Sequence, residues 1–515
     1  MRPRADLAVA SVFGAAAFLA VAAGVRPHGP GLTADSAVYL SVAESLREGR
    51  GFVFFTGAPY VTGPPLYPFL LAATPGALSG LRLGAGLLGA AAFAAFVLLA
   101  ARNWAATGLP ARLRLFGLAA LCAAAPLVAV FQHVWSEVPF LVLSAAFLLA
   151  ASRFAETGSS RALAGMTAAS LLACLTRYIG VAFVAAGVSV ILLRRDDRPA
   201  RRLGRAFALG AASCAPLALW LARNAAVSES PAGERAASIF TAGERVSQIL
   251  DTLAVWAGAR HLPPPARLGI LAVIAAGMVL GLGRRPEIAP AARASAVFAG
   301  AYAAALLTAS SVGFDRLDDR LLSPLYLPLT TLALHALEGW LGVAALGGGA
   351  PGAVSASRLA RAALAAAAAL WVLGSAARTY RFERTARADG PGGFASPAWR
   401  SSELAARIRE LPADAVLVSN EPAVAYLLAG RPAHQSPRRT LYHTTTPAEG
   451  DLPALDALVR ANGRVFLAWF DRIDAQHLWS VEDLRARYEV TTLTRIGDGR
   501  FSTLELPRAA APPPR

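Results

Sequence analysis

Apolar runs broken by short polar stretches recur along the first three quarters of the chain, with no run confined to one region. Taking roughly 20 mostly apolar residues as the length that crosses a bilayer, the pattern predicts about eleven spans. They fall at 7–25, 83–101, 115–131, 138–152, 162–176, 178–193, 206–222, 266–283, 294–309, 324–342 and 361–376. A further apolar stretch, Leu66 to Leu78, holds Pro68 and Pro75 and reads as a re-entrant or interfacial segment. In the polar stretch 26–65, Thr33-Ala34-Asp35-Ser36 opens a helical pattern. Tyr39, Val42, Ala43 and Leu46 then recur on one face, Glu44, Arg47 and Glu48 fall elsewhere, and Gly49 is a natural stop. That spacing predicts an amphipathic helix lying on the membrane surface. From about residue 377 the pattern changes: Ser401–Leu411 and Pro422–Leu428 read as helices, and Ala415–Val418, Val465–Phe470 and Tyr488–Leu493 as strands. This predicts a small α/β domain over 381–508, followed by a disordered Pro/Ala tail at 509–515.

Composition supports a membrane protein. Of the 515 residues 55% are hydrophobic and only 16% charged, too little charge to cover a soluble globule of this size and too apolar for a disordered chain. The mean hydropathy is +0.47. All 49 basic residues are Arg; with the Ala, Gly and Pro load this suggests a GC-rich bacterial gene rather than nucleic-acid binding. The cysteines Cys122, Cys174 and Cys214 lie inside apolar runs and encode neither a disulfide framework nor a zinc site.

The net charge of +16 is largely an orientation signal. With a cytoplasmic N-terminus, the short inside segments hold Arg2 and Arg4, Arg102, Arg112 and Arg114, Arg153 and Arg161, the cluster Arg194–Arg205, Arg284, Arg285 and Arg293, then Arg358 and Arg361. The longer outside segments carry Asp35, Glu44, Glu48, Glu137, Glu229, Glu234, Glu244, Asp251, Asp315, Asp318 and Asp319. An odd number of spans sends the C-terminal domain outside. Val21-Ala22-Ala23 loosely fits a signal-peptide cleavage site, but the first span is needed to deliver the loop that follows it.

Four ionisable residues in separate outer segments are candidates for chemistry: Asp35, Glu137, Arg177 and Arg320. Each also has a plain structural explanation. Asp35, or Thr33, can be a helix N-cap; Glu137 can complement a helix dipole; Arg177 can snorkel; Arg320, in Arg316-Leu317-Asp318-Asp319-Arg320, can belong to a salt-bridged loop. Asp318-Asp319 offers weak divalent-ion chemistry. His133 stands four residues before Glu137, a spacing that fits a metal pair on a helix but fits a satisfied interfacial histidine better. His434 and His443 suggest nothing specific, and no P-loop or dinucleotide fingerprint stands in a suitable context.

Five segments, in order, resemble the membrane glycosyltransferases of the GT-C type, in particular the dolichyl-phosphate-mannose:protein mannosyltransferase and aminoarabinose transferase superfamily. They are Ala34-Asp35-Ser36-Ala37-Val38-Tyr39 with Gly49-Arg50-Gly51-Phe52; Tyr60 to Pro68 with Gly63-Pro64-Pro65-Leu66-Tyr67; Ser136-Glu137 with Pro139-Phe140; Leu175-Thr176-Arg177-Tyr178; and Asp319-Arg320-Leu321-Leu322-Ser323-Pro324-Leu325-Tyr326-Leu327-Pro328. The resemblance covers residues 1–380 and implies an α-helical polytopic fold of the GT-C type with a catalytic membrane domain and the outer loop 26–65. Tyr178 and Leu321 depart from the aromatic or Pro often found after the Arg of these motifs. Ser36 replaces the Glu that follows the Asp in protein mannosyltransferases, which argues against a protein acceptor.

The resemblance implies a polyprenyl-phosphate sugar donor, a lipid, glycan or protein acceptor, and transfer at the outer face of the bacterial cytoplasmic membrane. A lipid phosphate is a stable leaving anion, so the reaction needs one carboxylate to take the acceptor's proton and cations to hold the phosphate. Asp35 is the expected base, Glu137 a second catalytic carboxylate, and Arg177 and Arg320 the phosphate-binding cations. Tyr39, Tyr67 and Tyr326 are the expected substrate-binding aromatics. No cofactor is required, though a divalent cation is compatible. The competing reading is a transporter, flippase or scaffold; transporters favour internal repeats and midplane polar residues, whereas here the polar residues gather at the outer interface.

Overall fold

The computed structural model describes residues 3–74, 78–284, 289–312, 316–346, 351–442 and 444–507. Arg2, Pro75, Arg285, Asp315, His443 and the 509–515 tail lie outside the described residues. The chain opens with α1 (Pro3–Val25), α2 (Ala34–Arg47), α3 (Leu66–Ala72) and α4 (Leu78–Ala106). Next come α5 (Ala111–Cys122), α6 (Ala125–Gln132), α7 (Glu137–Thr157), α8 (Ser160–Thr176) and α9 (Val181–Leu193). They are followed by α10 (Pro199–Val227), α11 (Ala242–Trp256), α12 (Pro264–Gly283) and α13 (Pro290–Ala309). A four-residue turn of helix, α14 (Asp319–Leu322), precedes α15 (Tyr326–Leu346) and α16 (Pro351–Asp389).

A helix stands over each of the apolar runs, but length separates them. Among the described residues seven are long and apolar enough to cross a membrane: α1, α4, α7, α10, α12, α13 and α16. The pair α5/α6, bent by 52° at its break, makes an eighth if it is one span. The expected count of eleven is therefore not reached on these criteria. The polar Arg177-Tyr178 break leaves α8 and α9 short, and α3, at 7 residues, is only about 10 Å long. The described helix of the Leu66–Leu78 stretch is too short to cross a bilayer by itself.

Beyond α16 the chain forms α17 (Pro397–Arg400), α18 (Glu403–Arg409), β1 (Leu417–Ser419), α19 (Pro422–Ala429) and β2 (His434–Gln435). It ends with α20 (Asp451–Asn462), β3 (Arg464–Phe470), α21 (Val481–Arg485), β4 (Glu489–Ile496) and β5 (Gly499–Glu505). The five strands make one mixed sheet in the order β2-β1-β3-β5-β4. Strand β1 runs parallel to both its neighbours, and β3, β5 and β4 form an antiparallel set.

This segment is not detached from the helices. Leu404, Val424, Ala425, Tyr426, Ala468, Phe470 and Phe501 share one hydrophobic cluster with Leu32, Ala37, Leu40 and Ala43 around α2, and with Leu71 and Leu81. On its other side Val42 packs with Tyr60 and Trp220. Helix α2 is therefore buried on more than one face, not laid on an open surface. Its amphipathic pattern under-reported this because Leu40, off the expected stripe, is fully buried beneath the C-terminal segment.

Candidate active site

The backbone ahead of α2 is fixed by its neighbours. Gly31 N–H donates to the Gln132 carbonyl at 2.8 Å, and Val134 N–H returns to the Gly31 carbonyl at 3.1 Å. On the other edge Phe394 N–H donates to the Leu32 carbonyl at 2.7 Å. Gly393 sits at φ +61, and a Cβ there would lie 1.9 Å from the Leu32 oxygen, so only glycine permits this approach. Thr33, in extended conformation, is the N-cap of α2, and its N–H donates to the Ser36 hydroxyl at 2.9 Å. Asp35 is thus not the cap. It sits in the first turn with its carboxylate 45% exposed.

Asp35 meets Arg320, whose Nη2 donates to Asp35 Oδ2. The same guanidinium donates through Nε to Glu137 Oε1 at 2.6 Å. Arg177 Nη1 lies 2.5 Å from that oxygen, and the Glu137 side chain is only 2% exposed. Two cations from separate segments therefore converge on one buried carboxylate, with Asp35 on the accessible side. Burial alone would lower the Arg320 pKa, but Glu137 and Asp35 hold it above its ordinary value.

Local geometry explains each placement. Arg177 caps α8 in extended conformation, and a 3-10 turn, Tyr178–Gly180, restarts the chain into α9. A Cβ on Gly180 would come within 2.4 Å of the Ala173 carbonyl, so that turn also depends on glycine. Arg320 lies in α14, where Asp318 is the N-cap and accepts from the Arg320 and Leu321 N–H groups at 3.0 and 3.3 Å. Asp319 instead accepts from the Trp256 indole at 2.6 Å. The two acids thus face different partners, and among the described residues no group of three His, Cys, Asp or Glu could hold a metal.

Ser136 links the cluster to aromatic side chains: its hydroxyl accepts from Tyr39 at 3.0 Å and from Arg177 at 2.9 Å. Tyr39 meets Tyr67 edge to face at 5.0 Å. Burial, followed by the Asp35 charge, pushes the Tyr39 phenol up to about 12, so it acts as a neutral donor. The structure thus brings together Asp35, Glu137, Arg177, Arg320, Tyr39 and Tyr67. Tyr326 packs on Trp256 at 5.0 Å, on the bracing side of the Arg320 loop.

The expected helical spacing of His133 and Glu137 does not form. His133 is the extended residue after α6, and α7 begins at Glu137. Its Nδ1 bonds the Ala129 carbonyl at 2.7 Å, and its ring stacks on Trp135 at 4.1 Å. Burial lowers this imidazole to about 4, so it is neutral at physiological pH.

Three residues were missed in the sequence. The Arg320 guanidinium lies over the Trp135 ring at 4.7 Å, and the Trp135 indole donates to Thr33 Oγ1 at 3.0 Å, joining the cation to the cap of the Asp35 helix. Gln248 and Trp256, both on α11, brace the Arg320 loop: Gln248 accepts from Leu317 N–H at 2.9 Å and Trp256 holds Asp319. The one available signal for α11 was Thr241 followed three residues later by Glu244, a capping-box spacing.

The helices and the C-terminal sheet together share their fold with solved structures of the GT-C fold class. The particular likeness is to the crystal structure of the aminoarabinose transferase ArnT from Cupriavidus metallidurans in the apo state. The TM-score is 0.61 at 16% identity, covering 96% of this chain and 97% of that one. The structure of ArnT from the same organism bound to undecaprenyl phosphate gives 0.61 at 14% identity, covering 98% and 99%. At such identities the likeness shows the fold. The Saccharomyces cerevisiae Pmt1-Pmt2 protein O-mannosyltransferase complex, bound to the sugar donor, matches 43% of this chain and 33% of its own at a TM-score of 0.34 and 15% identity, and nothing rests on it. No family model and no curated protein matches the sequence.

Proposed function

We propose that the chain is an inverting glycosyltransferase that moves a sugar from a polyprenyl-phosphate donor to an acceptor hydroxyl at the outer face of the bacterial cytoplasmic membrane. The observation that carries this reading is the convergence of Arg177 and Arg320 on Glu137 with Asp35 alongside, on a fold shared with ArnT. An ArnT structure holds undecaprenyl phosphate, which supports a lipid-phosphate donor here. On this reading there are eleven spans, the N-terminus is cytoplasmic, and the sheet-bearing segment 381–508 is an extracytoplasmic domain.

The chemistry follows from the charges. The acceptor hydroxyl gives its proton to Asp35 as its oxygen forms a bond to the sugar's C1. The bond from C1 to the phosphate oxygen breaks, and its electron pair leaves with the lipid phosphate. Arg320 and Arg177 meet that growing negative charge. On this reading the acceptor oxygen enters opposite the departing phosphate, once that phosphate has displaced Asp35 from Arg320, and C1 is inverted. Glu137 has both its strong contacts taken by arginine, so it positions the cations and does not act as a base. Tyr39 supplies an aromatic face for the sugar, backed edge to face by the buried Tyr67.

The test is transfer from labelled undecaprenyl-phosphate pentoses and hexoses to extracted envelope acceptors by purified protein, with the anomeric configuration of the product read by NMR. A product of inverted configuration is expected. Retained configuration would remove the in-line mechanism, and no transfer with any donor would remove the enzyme reading.

A further inference from the structure

A second polar cluster lies outside the candidate active site, at the same end of the bundle. A groove of about 780 Å³ runs between α1, α5 and α16, within the size range of small-molecule sites. One end is apolar, formed by Phe13, Ala16, Cys122, Val372 and Ala376. Its other end carries Glu383, Arg384 and Arg387. The Thr379 hydroxyl closes the floor by donating to the Ala123 carbonyl at 2.7 Å.

Glu383 is the unusual member. The residue is only 6% exposed, and Gln132 Nε2 donates to its Oε1 at 2.5 Å. Its Oε2 has no hydrogen-bond partner, and Arg387 Nε lies 4.0 Å away. A buried carboxylate oxygen left without a donor is costly. Arg384 is exposed at the rim and, among the described residues, forms no ion pair.

We propose that this groove binds an anionic glycerophospholipid with a hydroxylated headgroup, phosphatidylglycerol. The groove is divided as an amphiphile is divided, with apolar wall at one end and charge at the other. Two arginines against one glutamate leave a single positive charge, which matches one phosphodiester and no ammonium. The headgroup hydroxyls supply the donor that Glu383 Oε2 lacks, while the phosphate faces Arg384 and Arg387. The site is distinct from the Asp35 cluster but one side chain removed from it, since the Gln132 that holds Glu383 also accepts the Gly31 N–H leading into α2.

Lipid retention by the delipidated full chain, read by native mass spectrometry after exchange with defined vesicles, tests this without any transfer assay. Phosphatidylglycerol should be retained over phosphatidylcholine, and over phosphatidylmethanol, which carries the same charge but no hydroxyl. Arg384→Ser and Arg387→Ser should each lower retention about fivefold, the worth of one basic side chain at an anionic lipid surface. Ala376→Phe, which fills the apolar end and leaves the charges alone, should lower it as well. Equal retention of phosphatidylglycerol and phosphatidylcholine, or retention unchanged in the Arg and Ala376 variants while they remain monodisperse and folded, would overturn the proposal and leave only annular lipid. Equal retention of phosphatidylglycerol and phosphatidylmethanol would overturn the role of Glu383.

Discussion

Arg320 binds Asp35 directly, so the candidate base and a candidate phosphate-binding cation are already paired before any ligand arrives. A lipid phosphate reaching Arg320 competes with Asp35 for its Nη2, whereas the Nε contact to Glu137 can persist. Donor binding would thereby free the Asp35 carboxylate to take a proton, which orders donor before acceptor chemistry.

Asp35→Asn removes the proposed base and the charge that pairs with Arg320, but Thr33 still holds the N-cap and the Asn side-chain oxygen can still accept from Arg320. Transfer should fall by about 10²–10⁴-fold, the range that general-base catalysis supplies, while the unfolding temperature stays near that of the parent. Near-normal transfer by this variant, in an assay where the parent is active, would make Asp35 structural.

Glu137→Ala should act on stability first. It leaves Arg177 and Arg320 largely buried without the carboxylate they share, a loss of about 3–5 kcal/mol for a broken buried pair. Thermal unfolding in detergent measures it. A shift too small to resolve would show that the two arginines find other partners.

Arg320→Lys keeps a charge but loses the planar fork that serves Asp35 and Glu137 together. Losing one charge-assisted hydrogen bond, about 1.5–3 kcal/mol, corresponds to about 10–100-fold weaker donor binding. The effect should appear in the donor's KM or in undecaprenyl-phosphate affinity, with little change in acceptor dependence.

Glu421 gives the fold a pH dependence. Burial pushes this carboxyl up to about 7, so the folded chain binds a proton that the unfolded chain has released above its ordinary pKa of about 4.3. The sign follows: this contribution to stability is full below the unfolded pKa and is lost as pH rises through about 7. Unfolding temperatures measured from pH 5 to 8 should decline less in Glu421→Gln than in the parent; parallel curves would contradict it.

Orientation is checked by single-cysteine labelling in a background lacking Cys122, Cys174 and Cys214. The positions must be exposed, as Glu48, Ala200 and Glu410 are. Cysteines at 48 and 410 should react with an impermeant reagent from outside, and one at 200 should not. Outside labelling at 200 would invert the whole topology.

Much of the cluster could be read from the sequence because Glu137, Arg177 and Arg320 interrupt or border apolar runs, where an ionisable residue is conspicuous, and Asp35 opens the helical pattern of the 26–65 stretch. Their pairing could not be read. Nothing local says that Glu137 would lie between two arginines and not act alone. Trp135 escaped because an aromatic beside an apolar run looks like core, and its role depends on Arg320 arriving from far along the chain. The span count is less sharply readable for a related reason: hydropathy registers apolar content, while the bend between α5 and α6 and the shortness of α8 and α9 fall at Ala123-Ala124 and Arg177-Tyr178. Strand β5 was missed because Gly499–Glu505 has little apolar alternation of its own. It is held between β3 and β4, which only folding brings together.

The contacts that steady the Asp35 helix come from the far end of the chain. Phe394 holds Leu32, and the Tyr426 hydroxyl holds Glu44 at 2.7 Å across a sequence separation of 382 residues. At the usual ribosomal pace of about 5–20 residues per second, roughly 20–75 s of synthesis separate Glu44 from Tyr426. For that interval every membrane helix can be made while the loop bearing Asp35 lacks its final supports. On the proposed reading, a nascent chain in that interval cannot carry out transfer with a settled Asp35 loop, because Phe394 and Tyr426 have yet to be made and docked.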